Sequence, residues 1–248
     1  MSDKKFTAID SLQYLLNKPI IETAATKKIK TILTRTQNDS SMVGIIGEEG
    51  IGKSTGVAKS VLANPSSYYI RMGQSYGSKT LFHELIFLIT GKQVYQSTNM
   101  NSTIDFLSNV LTETPDKKLV IIDDAGKLKS AGLGLFHELR DNTMDTTGFV
   151  FMGLEYFMNN LLKWKKEGKI GIAEFYRRIN FWYSLPYLSQ EEKILYLKSR
   201  NIELTEKLIS ILKEVNTIWE LEARVNIYLQ QKKIKGSRNN PPSNPKEV

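Results

Sequence analysis

The chain alternates between short apolar runs and longer amphipathic stretches, which is the pattern of strands followed by helices in a parallel sheet. A continuous apolar run such as Leu119–Ile122 indicates a strand that is buried on both faces. The predicted strands are Met42–Ile46, Tyr68–Met72, Leu119–Ile122, Phe149–Met152 and Ile179–Tyr183. Helices are predicted between them at Thr55–Leu62, Ser78–Thr90, Ile104–Thr112 and Leu128–Arg140. This order predicts an α/β fold, a parallel sheet flanked by helices.

The two ends of the chain lack this alternation and are predicted to be helical. Further helices are expected at Ile9–Leu16, Ile21–Thr36, 190–200, 204–215 and 217–230. The first of the last three begins at a capping box, in which Ser189 caps the helix and Glu192 follows three residues later. The Asn- and Pro-rich end is expected to be disordered. We therefore expect a helical leader at 1–40, an α/β domain at 41–186, a small helical lid at 187–235 and a tail at 236–248.

Composition narrows the function classes. The 248 residues include no cysteine, which excludes disulfides and thiolate metal sites. The two histidines, His83 and His137, are too few for a histidine-based metal cluster. The start Met1–Lys5 leads into no sustained apolar region, and no run approaches the roughly 18 apolar residues of a membrane span. We therefore expect a soluble, cytoplasmic protein.

The charge is strongly basic. A formal net charge of +8 favours acidic partners such as nucleic acid. Much of the excess lies in Lys163–Lys169 and Lys232–Arg238. Either segment could equally be an ordinary solvated face or tail, so charge alone does not identify the partner.

A phosphate-binding loop follows the first predicted strand. It matches G-x-x-x-x-G-K-[ST] and leads into a predicted helix, which is the setting that this motif requires. Its glycines let successive backbone amides face one anion at a helix N-terminus. Lys53 would reach the β- and γ-phosphates of ATP, and the Ser54 hydroxyl would coordinate Mg²⁺. The predicted nucleotide-binding residues here are Gly47, Glu48, Glu49, Gly50, Ile51, Gly52, Lys53, Ser54 and Thr55.

Two acids, Asp123 and Asp124, end the apolar strand Leu119–Ile122. An acid at that end is the partner that a phosphate-binding loop requires. We assign Asp123 to Mg²⁺ and Asp124 to activation of the attacking water; the alternative is that both cap the following helix. ATPases of this layout usually carry Glu at the second position, and Asp is one methylene shorter. Because small misplacements reduce rates steeply, we expect slow basal hydrolysis.

Three more charged residues are candidates for catalysis. Glu155 follows the strand Phe149–Met152, where a polar residue often senses the γ-phosphate; it could equally be an acid in the first turn of a helix. Arg177 and Arg178 precede the last strand, where a guanidinium could reach the γ-phosphate of a neighbouring subunit. Surface packing is the alternative, and Arg178 is the preferred candidate of the pair.

In order and spacing, these segments resemble AAA+ ATPases. The segments are Gly47–Ser54, Leu119–Ala125, Glu138–Asp141, Gly148–Glu155 and Phe175–Arg178. Within AAA+ ATPases, they look most like the transposition regulators typified by the phage Mu B protein and TnsC. The similarity spans roughly residues 20–230. Assignment to transposition rests on the stretch between Arg140 and Arg178.

The resemblance implies an ATP-dependent protein that self-associates into a ring or helical filament on duplex DNA and recruits or stimulates a transposase. It implies ATP and Mg²⁺ as cofactors. Lys79, at the start of a helix, lies in the region that faces DNA in related filaments, although it could equally be a solvated helix-start residue. Thr23 resembles the position that borders the adenine base.

The chain also departs from that family. Asp124 replaces the usual Glu, Leu154 stands where Asn is common, and Trp219 falls where a sensing arginine of the lid is expected. Two alternative functions therefore stay open. One is a secretion-type ATPase resembling the ExeA family, and the other is a scaffold that binds ATP without significant hydrolysis.

Overall fold

Five strands form one parallel sheet in the computed structural model, which describes residues 12–14, 21–93 and 99–239. The strands are β1 (Met42–Ile46), β2 (Ser67–Arg71), β3 (Lys118–Asp123), β4 (Thr147–Gly153) and β5 (Phe181–Ser184). Their order across the sheet is β2-β3-β4-β1-β5, and every neighbouring pair is parallel. The predicted α/β class is confirmed, and each strand lies within two residues of its predicted position.

Ten α-helices with defined bounds accompany the sheet in the described part of the chain, besides a 3-10 turn at Ala125–Lys127 and the helical residues 12–14. They are α1 (Ala24–Asn38), α2 (Lys53–Leu62), α3 (Ser78–Thr90), α4 (Met100–Thr112), α5 (Ser130–Asn142), α6 (Glu155–Lys166), α7 (Ile172–Arg178), α8 (Gln190–Ser199), α9 (Glu206–Ile211) and α10 (Ile218–Asn239). Helices α6 and α7 were not predicted. Phe157 and Leu161, four residues apart, are the buried residues of α6, so its buried positions follow the spacing of a helix.

The two faces of the sheet are covered by different helices. In β3, Leu119 and Ile121 face one side while Val120 and Ile122 face the other, as the alternation of a strand requires. Helices α1 and α2 pack on the first side, whereas α3 to α7 pack on the second. Phe136 of α5 is central to the second side, with its ring 4.9 Å from that of Phe151.

A separate apolar cluster joins the last three helices, with Leu197, Leu208 and Leu221 fully buried. Helix α10 begins at a capping arrangement in which the Glu220 amide donates to Thr217 and the Thr217 amide donates to Glu220. The helix runs to Asn239, past the predicted boundary at 235; residues 240–248 lie outside the described residues. Most of the predicted helix Ile9–Leu16 also lies outside them, although residues 12–14 are helical.

None of the helices in the described ranges combines the length and the apolar character needed to cross a membrane.

Helix α1 begins at Ala24, later than predicted, because Thr23 caps it. The Thr23 hydroxyl accepts a hydrogen bond from the Thr26 amide, and the Thr26 hydroxyl accepts one from the Thr23 amide. This cap fixes where the helix starts.

Candidate functional site

A cavity of about 450 Å³ lies at the carboxyl edge of the sheet. Strand β4 separates β1 from β3, so the loop after β1 and the acids after β3 approach this edge from either side of β4. The cavity is lined by Glu49, Gly50, Gly52, Lys53, Ser54, Thr55, Arg71, Asp123, Asp124, Lys127, Leu154, Tyr156, Ile218, Trp219 and Glu222. The predicted loop and the predicted acids therefore share one cavity.

The loop between β1 and α2 has the backbone of an anion cradle. Gly50 has φ 72° and Gly52 has φ 100°, left-handed values that a residue with a side chain rarely adopts. Gly52 is the N-cap of α2, so the amides that follow it lack acceptors within the helix. Among the described hydrogen bonds, the Gly50 and Gly52 amides also have no acceptor. The loop therefore presents free N–H groups at the positive end of a helix.

Lys53 is folded back onto this loop. Its Nζ donates to the carbonyl oxygens of Gly47 at 2.8 Å and Glu48 at 2.9 Å. Burial lowers the pKa of Lys53, while the nearby carboxylates of Asp123 and Asp124 act in the opposite direction. The ammonium group therefore lies where an anion above the loop can recruit it.

A chain of short hydrogen bonds joins the loop to β3. The Ser54 hydroxyl donates to Asp123 Oδ2 at 2.7 Å, and the Tyr69 hydroxyl donates to the same oxygen at 2.7 Å. Asp123 is buried, and its Oδ1 accepts from the backbone amide of Asp124 at 2.9 Å. Burial and the neighbouring Asp123 carboxylate raise the pKa of Tyr69 far above its ordinary value, so Tyr69 stays a hydrogen-bond donor.

Asp124 is held differently. Its backbone is left-handed, with φ 55°, and its Oδ2 accepts from Arg71 Nε at 3.0 Å and from Lys127 Nζ at 2.9 Å. Burial alone would raise the pKa of Asp124, but the bonds to Lys127 and Arg71 outweigh it and lower the pKa. The carboxylate is therefore ionised and engaged by two cations.

The C-terminal helix α10 borders one side of the cavity through Trp219. Its backbone amide, in the first turn of α10, donates to the carbonyl oxygen of Gly50 at 3.3 Å. A Cβ placed on Gly50 would lie 2.4 Å from the Trp219 Cβ, so the loop and the lid touch closely there. Glu222 also lines the cavity and accepts from Arg200 at 3.0 Å. Helix α10 thus contributes an aromatic group and an acid to the cavity.

Some predicted residues lie beside the cavity rather than in its lining. Glu155 is exposed in the first turn of α6, and it is Leu154 and Tyr156 on either side that line the cavity. Ile51 is buried in the core, while Glu48 is exposed and accepts from the Tyr187 hydroxyl at 3.4 Å. The three residues therefore hold different positions around the loop.

Both candidate arginines lie in the last turn of α7, but they differ in whether they form an ion pair. Arg178 donates from both Nε and Nη2 to the two carboxylate oxygens of Asp141, with the Nε contact at 2.8 Å. This pairing raises the pKa of Arg178 and lowers that of Asp141. Arg177 is exposed and forms no ion pair with any described residue. Within one chain, Arg177 is therefore the uncommitted guanidinium.

Thr23 and Lys79 lie outside the cavity lining. Thr23 is buried as the cap of α1, and its capping partner Thr26 is the nearest neighbour of Gly52, with Cγ2 3.6 Å from the position of an added Cβ. Lys79 is exposed in the first turn of α3. The cap of α1 therefore borders the loop, whereas Lys79 lies on a helix that covers the other face of the sheet.

Sequence reasoning missed three polar residues of the site. Tyr69 and Arg71 lie on β2 and were assigned only to a strand, and Lys127 follows the acids and was not singled out. The pairing of β2 with β3 brings both residues to the site, because Tyr69 lies opposite Ile121 and Arg71 lies opposite Asp123. Hydrophobic patterning predicts strands but not which of them pair, so this pairing appears only with the sheet order.

Comparisons with known proteins agree with this geometry. A sequence model of a family described as an AAA domain matches residues 35–161, which is just over half of the chain. The matched range includes the loop, both acids and Arg71, the residue of β2 that lines the cavity. No curated protein matches the sequence.

Solved structures share the fold at low sequence identity. The Aeropyrum pernix ORC2 protein, in ADPNP–ADP complexes, is 17% identical with a TM-score of 0.51; the match covers 79% of this chain and 52% of that one. The Walker-type ATPase of Pyrococcus abyssi is 15% identical with a TM-score of 0.60, covering 88% and 77%. The Aeropyrum pernix ORC1 protein in complex with DNA is 12% identical with a TM-score of 0.61, covering 90% and 64%. The chain spans about half the length of the ORC2 protein.

Proposed function

Because this chain belongs to the AAA domain family, we propose that it is an ATPase that binds DNA without sequence specificity when loaded with ATP and Mg²⁺. In this proposal it self-associates into a ring or helical filament on duplex DNA. There it recruits or stimulates a transposase. The proposed domain division is a leader at 1–40, an ATPase domain at 41–186, a lid at 187–235 and a tail at 236–248.

The observation that carries the nucleotide proposal is the 2.7 Å contact between Ser54 Oγ and Asp123 Oδ2 at the foot of the phosphate-binding loop. A hydroxyl and a carboxylate are hard oxygen ligands of the kind that Mg²⁺ takes, and this ion commonly binds through one or two carboxylates and substrate phosphates. Ser54 and Asp123 would hold the ion, which would neutralise charge on the phosphates. The free amides of the loop and Lys53 would hold the phosphates themselves.

The residues assigned to hydrolysis are Asp124, Glu155 and the arginine pair. Asp124 would orient the attacking water, and its engagement by Arg71 and Lys127 supports slow turnover. Glu155 would act from the first turn of α6, beside the cavity. Arg178, with Arg177 as the alternative, would reach the γ-phosphate of an adjacent subunit. Arg178 must first leave Asp141 to do so.

The DNA and transposase parts of the proposal rest on different supports. The net charge of +8 supports a polyanionic partner, and Lys79 is the contact that the family resemblance suggests. Thr23 would border the adenine base, consistent with its cap lying beside Gly52. The transposase is proposed from the resemblance of the Arg140–Arg178 stretch alone.

A scaffold that binds ATP without significant hydrolysis is the second candidate. It is favoured by the two cations on Asp124, since its Oδ2 already accepts from Arg71 at 3.0 Å and from Lys127 at 2.9 Å, which makes that oxygen a weaker acceptor for a water proton. Hydrolysis measured beside Asp124→Asn separates the two. Equal rates in both proteins would favour the scaffold.

The nucleotide proposal is tested by calorimetry with Mg·ATP on the wild type and on Lys53→Ala. We expect the wild type to release heat on binding and the variant to lose affinity. Lys59→Ala is the matched control, because Lys59 is an exposed lysine on the same helix. An undiminished affinity in Lys53→Ala would overturn the proposal.

Assembly is tested by negative-stain images and gel shifts of the wild type. We expect filaments or rings with duplex DNA and a non-hydrolysable ATP analogue, and DNA complexes that weaken steeply with salt. Binding that ignores nucleotide would overturn the ATP-dependent assembly while leaving nucleotide binding intact.

A further inference from the structure

Helix α1 (Ala24–Asn38) has an exposed face made of cations and hydroxyl groups, and the helix contains no acidic residue. The members of this face, which we call the α1 basic face, are Lys27, Lys30, Thr31, Thr34 and Arg35. Their spacing of i, i+3, i+4, i+7 and i+8 places them on one side of the helix. The opposite side is buried, with Ile29 and Leu33 at most 1% exposed. Packing therefore fixes the basic face toward solvent.

These cations are not used inside the described part of the protein. No ion pair of the described residues includes Lys27, Lys30 or Arg35. The neighbouring Lys28 is different, because its Nζ donates to the Ser184 carbonyl oxygen at 2.8 Å. One acid, Glu22, lies at the end of the shallow groove of about 500 Å³ that the face lines. Three cations and one acid leave the groove strongly positive.

The hydroxyl groups of the face do not compete for an anion. Thr31 donates to the Lys27 carbonyl oxygen at 3.2 Å and Thr34 donates to the Lys30 carbonyl oxygen at 3.0 Å. The threonines therefore form a short, uncharged surface between the cations. From Lys27 to Arg35 the helix advances roughly 12 Å at about 1.5 Å per residue. That length covers roughly three phosphates of one DNA strand, at about 3.4 Å per nucleotide.

The composition of the face distinguishes between kinds of partner. Protein interfaces have an apolar centre, but α1 contributes no large exposed hydrophobic residue. Interfaces with nucleic acid are polar and strongly positive. The α1 basic face matches the second description.

We propose that the α1 basic face binds the phosphate backbone of duplex DNA through Lys27, Lys30 and Arg35. The inference rests on the proposed DNA-binding function and assigns its contact surface. It differs from a contact through Lys79, because α1 and α3 cover opposite faces of the sheet. Binding here is independent of sequence, since backbone contacts read no base edges.

The test compares a triple variant, Lys27→Gln with Lys30→Gln and Arg35→Gln, with the wild type. Fluorescence anisotropy with a labelled duplex is measured with Mg²⁺ and a non-hydrolysable ATP analogue across about 50 to 200 mM salt. The slope of log affinity against log salt should fall in magnitude by about 2.7, at about 0.9 per phosphate contact. Affinity should fall roughly 500-fold near 0.1 M salt by the same relation. ATP affinity should not change.

The matched control removes the same charge from the lid, by Lys198→Gln with Lys207→Gln and Lys213→Gln, all three exposed and without ion pairs in the described chain. This control should keep a slope within about one of the wild type. An equal loss in the control, or an unchanged slope in the α1 variant, would overturn the inference. The inference would also be overturned if the α1 triple variant no longer self-associated in the absence of DNA but kept its affinity for DNA.

Failure of the proposed function has a different result. A wild type that binds ATP but no duplex at any salt concentration overturns DNA binding itself, and this inference with it. If the wild type binds duplex DNA and the α1 triple variant binds it equally well, only the assignment of the contact to α1 is overturned. If Lys79→Gln alone removes binding, the contact lies on the other face of the sheet.

Discussion

Release of Asp124 from its two cations should accelerate ATP hydrolysis. In the structure its Oδ2 accepts from Arg71 Nε at 3.0 Å and from Lys127 Nζ at 2.9 Å. Arg71→Gln removes one of these charges while keeping a polar side chain of comparable reach. If Asp124 must leave the cations before it can orient water, each contact adds to the barrier, and losing one lowers it.

Exposure sets the size of the effect. The side chains of Arg71, Lys127 and Asp124 are 58%, 30% and 25% exposed, so solvent screens both pairs. Screened pairs of this kind contribute about 0.2 to 1 kcal/mol each. Since about 1.4 kcal/mol is a factor of ten, Arg71→Gln should raise the single-turnover rate no more than about fivefold. The double variant with Lys127→Gln should gain at most roughly thirtyfold.

The assay is single-turnover release of phosphate from ATP, with ATP affinity measured on the same proteins. Loss of Arg71 removes one of the two contacts that lower the pKa of Asp124, and loss of Lys127 as well leaves burial, which raises that pKa, so the rates are compared at neutral and at higher pH. Arg71→Lys is the matched control, since it keeps the charge and should stay near the wild-type rate. A rate in Arg71→Gln that is unchanged or lower, at unchanged ATP affinity, would refute the reasoning. Weakened ATP affinity without a faster step would show that Arg71 acts on the nucleotide instead.

Tyr69→Phe should lower Mg²⁺ affinity about 10- to 100-fold, because it removes the hydroxyl that orients Asp123; an unchanged Mg²⁺ titration of ATP binding would contradict this. Gly91→Ala, at φ 69° with nothing within 4 Å, should cost roughly 1–2 kcal/mol of unfolding free energy from backbone strain alone. Gly50→Ala, at φ 72° and with the Trp219 Cβ 2.4 Å from the added Cβ, should lose more unfolding free energy in chemical denaturation than Gly91→Ala. Equal losses in the two variants would rule out the close contact between Gly50 and Trp219. Folding lowers the pKa of Asp124 from its ordinary 3.8, so the ionised carboxylate stabilises the fold fully above pH 3.8. This stabilisation is lost as the pH falls through the lowered pKa. The difference in Tm between the wild type and Asp124→Asn should therefore vanish in acid, and a difference that persists there would contradict the assignment.

The parts of the site that could be predicted were those encoded locally. The loop at 47–54 is continuous in the chain, and the buried strand before Asp123 is a continuous apolar run, so both were apparent without the fold. The contact between them followed from the rule that parallel strands deliver their ends to one edge. Helix α6 was missed although Phe157 and Leu161 stand four residues apart, at helical spacing, so a local signal for it was present in the sequence.

The parts that could not be predicted depend on which strands are neighbours. Arg71 meets Asp124 because β2 lies at the edge of the sheet beside β3, and nothing in either segment states that order. The pairing of Arg178 with Asp141 likewise joins the end of α7 to the end of α5. Side-chain pairs between distant segments therefore need the topology, whereas a contiguous motif does not.

The contact between Trp219 and Gly50 runs through the main chain, from an amide of α10 to a carbonyl of the loop. Alanine scanning would be blind to it, since every residue except proline supplies the same N–H. Movement of the loop backbone on phosphate binding would pull on the lid irrespective of the side chain at 219. Trp219→Pro, which deletes the donor, is therefore the substitution that would uncouple the two halves of the cavity.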